Sequence, residues 1–186
     1  MTARFVTEFR AQMDGGRLVG HASVFGQAAR VGGGWEQIAP TAFDAALADE
    51  TTDVRALVNH DPRYLLGRQS AGTLGLAVDG DGLRFEVDLP DTSYARDLAE
   101  LVARGDLTGA SFGFIPGEDE LSRAPDGRQM RTHTSVAQLI DVSPVTFPAY
   151  DGAGVALRCV TWEPSPSLRE QVIRAKARAR LERGRQ

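Results

Sequence analysis

A single cysteine, Cys159, stands in the 186-residue chain. It excludes a disulfide within the chain and suits a reducing compartment. Histidine is scarce as well: His21, His60 and His133 are the three. Any chemistry that needs an imidazole must draw on these. No apolar run approaches the ~18 residues of a membrane span. The first ten residues, MTARFVTEFR, lack the continuous apolar core of an export signal. Neither export nor membrane association is expected. There is no H-E-x-x-H or Cys-x-x-Cys spacing for a metal, no G-x-S-x-G elbow and no phosphate-binding glycine loop. No metal site and no cofactor is expected, and no internal repeat is visible.

What is present is ordinary in bulk and uneven in charge. Apolar residues make up 42% and charged residues 25%, the balance of a soluble globular domain. The net charge is −4. From Ser165 to Gln186, seven basic residues face two acidic ones. The preceding residues hold fourteen basic against twenty-three acidic, a net of −9. An acidic body is a poor surface for nucleic acid.

The pattern along residues 1–162 is mostly short strands. RFVTEFRA and RLVGHASVFG flank the turn-rich MDGG and predict a hairpin. VGGGWEQI is a loop leading into a short strand. PTAFDAALADE predicts a helix capped by Thr41, with Phe43 and Leu47 one turn apart. DVRALVNHDP is a strand stopped by Pro62. GTLGLAVDGDGLRFEVDLP is the clearest hairpin. DTSYARDLAELVARGD is the clearest helix, with Tyr94, Leu98, Leu101 and Val102 in one stripe and Gly105 closing it. PGEDELSRAPDG is loop-like. RTHTSVAQLIDVSPVTFPAY reads as one or two strands ended by Pro148, and GVALRCVTW as a last strand. EPSPS is a linker, and LREQVIRAKARARLERGRQ a basic helix, so that 163–186 is a tail. The expected fold is mainly β with a few helices (α+β), a closed or nearly closed β-barrel.

One stretch raises a question of chemistry. In LTGASFGF, Ser111 lies between Gly109 and Gly113. Strand alternation puts Ala110, Phe112 and Phe114 on one face and Ser111 and Gly113 on the other. The glycines clear space beside the hydroxyl, either for a ligand or simply at a bend. A serine nucleophile needs a base. His60 ends an apolar strand, where a side chain reaches a cleft mouth; the alternative is a half-buried histidine bonded to backbone. His21 and His133 alternate with polar neighbours and read as surface residues. Asp141, between Ile140 and Val142, is the notable acid, since a carboxylate in an apolar strand is rarely buried without a partner. An arginine ion pair or a strand edge facing water would also explain it. Asp61 is a neighbour of His60 but points the other way in a strand. Cys159 has no cleared space and reads as a packed thiol.

These pieces resemble a known family. GHASVFG, WEQIAPTAF, ALVNHDPRYLLGR with GTLGL, LPDTSYARDLAELVARGDLTGASFGF and LIDVSPVTFPAY look like the ordered blocks of the tailed-phage prohead (capsid maturation) proteases, over roughly residues 4 to 158. The NHDP and GDLTGASFGF blocks are the specific ones. The resemblance implies a fold similar to the herpesvirus assemblins, a β-barrel ringed by helices. It implies a serine endopeptidase with Ser111 as nucleophile and His60 as general base. The family's acid position usually reads L-x-E-V-S; here it is LIDVS, which puts Asp141, one methylene shorter, in that place. The assemblins use a second histidine, which makes His133 a rival. The resemblance further implies scaffold, or the scaffold-like segment of the major capsid protein, as substrate inside the procapsid in the host cytoplasm. It also implies self-cleavage, with the basic tail as a removable docking segment. An assemblin-like dimer through a helix such as 92–104 is a further expectation. Backbone N–H groups between Pro144 and Ala149 are the expected oxyanion donors. The competing reading is a non-catalytic capsid-assembly or scaffold-binding barrel.

Overall fold

The computed structural model describes residues 3–7, 12–14, 16–31 and 34–147. The expected last strand with Cys159, the stop at Pro148, the linker and the basic helix lie outside them.

Three open sheets make up the described fold. The first has five strands in the order β1 (Ala3–Thr7), β10 (Gly109–Pro116), β13 (Val136–Val145), β6 (Arg55–Val58) and β7 (Asp61–Arg68). The second runs β2 (Gln12–Asp14), β3 (Arg17–Val24), β9 (Gly82–Asp88), β8 (Leu74–Val78). The third runs β11 (Asp119–Arg123), β12 (Gln129–His133), β5 (Gly34–Ile38), β4 (Ala29–Val31). Two helices, α1 (Asp44–Ala48) and α2 (Ser93–Arg104), complete it. Mainly β with few helices is therefore correct, but the closed barrel is not: among the described residues each sheet ends in two edges. Short alternating strands encode a buried face, which a barrel and stacked open sheets satisfy equally; closure is not written in the alternation.

The core forms where the first two sheets meet, with β3 against β10 and β13. Ala110, Phe112 and Phe114 have no exposed surface, as alternation along β10 requires. Phe43 closes edge-on against Phe112 at 5.3 Å. Burying each such phenylalanine is worth roughly 1.5–3 kcal/mol. This fixes which face of β10 points inward, and so the opposite face for Ser111.

Several local expectations need correcting. The MDGG hairpin joins β3 to the short β2 only; β1 pairs with β10 instead. Phe43, not Thr41, occupies the N-cap of α1. Leu101 leaves the α2 stripe and is 41% exposed, while Ala95, Leu98 and Val102 are buried. The loop-like PGEDELSR contains β11, paired with β12. Gly105 does close α2 in the left-handed conformation, φ 78°. The GDG hairpin joins β8 and β9 as expected. His21 and His133 are buried, not at the surface.

Candidate active site

Two irregularities of the first sheet build the site. The first is a bulge in β13. Phe112 pairs with Val142 and Gly113 with Asp141, but Phe114 pairs with Leu139. Ile140 is the extra residue. Plain alternation would put Leu139 and Asp141 on one face. The bulge lets Leu139 enter the core while Asp141 turns to the outer face beside Ser111. The second is the connection from β6 to β7. Val58 pairs with Asp61, so Asn59 and His60 are a two-residue turn, both with positive φ, 52° and 58°. This is the type I′ geometry of tight hairpins, and asparagine and histidine tolerate it better than most residues. The strand is thus not stopped by Pro62. That proline lies in an irregular stretch of the edge strand β7, where its missing N–H costs no ladder bond.

The turn is tied to the end of β13. Asn59 N–H donates to Pro144 O at 2.9 Å, Thr146 N–H to Asn59 Oδ1 at 2.9 Å, and Asn59 Nδ2 to Thr146 Oγ1 at 3.3 Å. Because β6 runs parallel beside β13, this anchoring brings His60 over the outer face of the sheet.

His60, Ser111 and Asp141 meet there. His60 Nε2 lies 2.8 Å from Ser111 Oγ, and Nδ1 lies 2.6 Å from Asp141 Oδ1. A carboxylate only accepts, so the proton of the ring sits on Nδ1 and Nε2 is left to accept from the serine hydroxyl. The His60 and Asp141 side chains are 7% and 8% exposed, and Ser111 is fully buried. The space at Gly113 does not lie open beside the hydroxyl. A Cβ there would overlap Asp141 Oδ2 and stand 3.3 Å from its Cγ. The glycine makes room for the carboxylate.

The other candidates are engaged elsewhere. Asp61 pairs with Arg63 at 2.6 Å, and that side-chain bond, with a bond from the Arg63 backbone, holds its carboxyl down to about 2. Arg55, in register with Asp141, reaches Asp53 instead. His133 bonds Glu36 at 3.1 Å and lies edge-on to Phe114 at 5.3 Å, on the core side of β10, away from Ser111. His21 Nε2 bonds both oxygens of Asp79, at 3.0 and 2.9 Å. With Asp81 these two place ligand atoms within 4.8 Å of one another, a cluster the sequence motifs did not indicate. Of the expected oxyanion donors, Pro144 has no N–H and that of Thr146 is taken by Asn59; Pro148 and Ala149 lie outside the described residues. The residue that sequence reasoning passed over is Ser143. Its Oγ donates to Asp141 Oδ1 at 2.6 Å. The i, i+2 spacing of Asp141 and Ser143 put it on the same face and was the available signal.

The family model described as Caudovirus prohead serine protease matches residues 6–167. The chain belongs to the caudovirus prohead serine protease family. It is by that membership a serine peptidase of phage capsid maturation. No curated protein matches the chain. No solved structure matches it either, so the assemblin likeness has no structural neighbour behind it. Among the described residues no helix is long and apolar enough to cross a membrane.

Proposed function

We propose that Ser111, His60 and Asp141 are the catalytic triad of an endopeptidase. Its substrate is scaffold, or the scaffold-like segment of the capsid protein, inside the procapsid in the host cytoplasm. The observation that carries this reading is the continuous chain of bonds from Asp141 Oδ1 through both ring nitrogens of His60 to Ser111 Oγ.

His60 Nε2 takes the hydroxyl proton as Ser111 Oγ attacks a peptide carbonyl. The imidazolium then gives that proton to the leaving amine, and the C–N bond breaks. Water, deprotonated by the same nitrogen, hydrolyses the ester and releases the carboxyl product and free Ser111. Asp141 stays ionised, fixes the tautomer and stabilises the imidazolium. The protease domain is residues 1–162. The basic tail, 163–186, is a segment that docks on acidic scaffold and is cut off by the enzyme itself.

A fluorophosphonate probe tests the assignment. It should label Ser111, mapped by peptide mass, and labelling should be lost in His60→Ala. Equal labelling of wild type and His60→Ala, or none of Ser111 at all even with scaffold added, would refute it.

A further inference from the structure

We propose that Ser143 is a positioning residue for Asp141, working with the space at Gly113 to hold the carboxylate where His60 needs it. The inference rests on the triad reading above and extends it to a fourth side chain.

The register sets up the arrangement. Ser143 lies opposite Ser111, and Asp141 opposite Gly113, on the outer face of two adjacent central strands. A lone aspartate carboxylate is a broad, roughly two-fold rotor about its last torsion. Two constraints remove that freedom here. Ser143 Oγ donates to Oδ1 at 2.6 Å, the same oxygen that faces His60 Nδ1 at 2.6 Å. Oδ2 fills the space that a Cβ on residue 113 would occupy. One oxygen is held by a donor and the other by a fitted void, so the carboxylate plane is fixed.

Packing alone does not call for the hydroxyl. Ser143 has no exposed surface. A buried hydroxyl costs free energy unless it is bonded, and alanine would fill the place without that cost. Its bond is to an ionised acceptor, a charge-assisted bond stronger than a neutral one. Ser143 touches neither the scissile carbonyl nor the nucleophile's proton in the proposed mechanism. It acts through Asp141.

The test compares Ser143→Ala, Ser143→Thr and wild type. Misplacement of a catalytic group costs on the order of 10²-fold in rate, so Ser143→Ala should lose about tenfold to 10²-fold in kcat with KM unchanged. When the carboxylate turns away, the imidazolium loses its partner, so the acid limb of kcat/KM should move to lower pH. Ser143→Thr keeps the donor and should restore both. An unchanged acid limb with unchanged kcat, or an acid limb moved to higher pH, would overturn the proposal. A second readout needs no turnover. In a Ser111→Ala background, the downfield NMR signal of the His60 Nδ1 proton should weaken with Ser143→Ala and persist with Ser143→Thr. An unaltered signal with Ser143→Ala would overturn the proposal even if the chain cleaves nothing. Loss of serine-dependent cleavage in wild type would instead count against the triad.

Discussion

Asn59 and Thr146 are joined by two hydrogen bonds across 87 residues of sequence, one from each end of the Asn59 amide. They clamp the turn that carries His60 to the strand that carries Asp141. The clamp, not the turn alone, sets where the imidazole sits.

Asn59→Gly separates the two effects. Glycine keeps the positive φ without strain but loses the amide bonds. Both residues are exposed, so water takes up the freed partners and stability should fall by only about 0.5–1.5 kcal/mol, the net worth of an ordinary hydrogen bond. Turnover should fall by about tenfold or more, because His60 loses its fixed position. Asn59→Ala adds left-handed strain of order 1–3 kcal/mol to the same loss. Urea unfolding and kcat on one peptide substrate check both. Turnover equal to wild type in Asn59→Gly would show that the clamp does not matter.

Asp141→Asn and Asp141→Glu should both fail, for different reasons. The amide can donate to His60 and favour the wrong tautomer, costing on the order of 10²–10⁴ in kcat. The longer glutamate must push an extra methylene into a space already filled at Gly113. Measured kcat for each variant decides. Wild-type turnover in Asp141→Glu would show that the fit at Gly113 is loose.

The second sheet has a buried charged face whose balance is testable. Arg84 and Glu86 are each 3% exposed. Burial pushes the Arg84 guanidinium down to about 10, against the opposing pull of Glu86 and Asp79. Arg17 also reaches Glu86 at 3.3 Å. Glu86→Gln takes the charge from beside the buried Arg84 and should cost about 1–3 kcal/mol, the scale of a buried polar group that loses its partner. Chemical denaturation measures it; a loss under ~1 kcal/mol, the scale of a surface pair, would contradict the assignment.

The His21–Asp79 pair gives a pH dependence with a definite sign. Burial alone would raise the Asp79 carboxyl. The bonds from His21 and from the Asp81 and Gly82 backbone outweigh it and hold the group below its ordinary 3.8. A depressed carboxylate stabilises the fold above the unfolded value, and the contribution fades as pH falls through the folded one. The Asp79 contribution should therefore be full above 3.8 and lost only below it. Unfolding of wild type and Asp79→Asn along an acid series should converge below that value. A gap that closes already well above it would contradict the sign.

The sequence made Ser111 and Asp141 visible because each is a polar group in an apolar strand, and burial of such groups demands a partner. It could not show their convergence on one face. Leu139 and Asp141 fall on the same side by alternation, and the bulge at Ile140 that separates them depends on pairing with β10. His60 was visible as a residue but misplaced in its element, because Pro62 looks like a strand stop. An edge strand with an irregular stretch tolerates it. His21 and His133 looked exposed because polar neighbours suggest a wet face. That inference fails in the second sheet, where Val19, His21, Arg84 and Glu86 are buried on the face opposite the core. Gly113 was legible as cleared space, and only the cross-strand register says that a carboxylate fills it. The missing barrel follows the same logic: closure is a property of edges, and edges are set by pairing.

Co-expression with a candidate phage capsid protein, read by intact mass, tests the central claim most directly. Wild type should shorten the capsid protein or itself, and Ser111→Ala should leave both at full length. If particles assemble and neither form cuts anything, or if Ser111→Ala cuts as wild type does, Ser111 is not the nucleophile and the account is wrong.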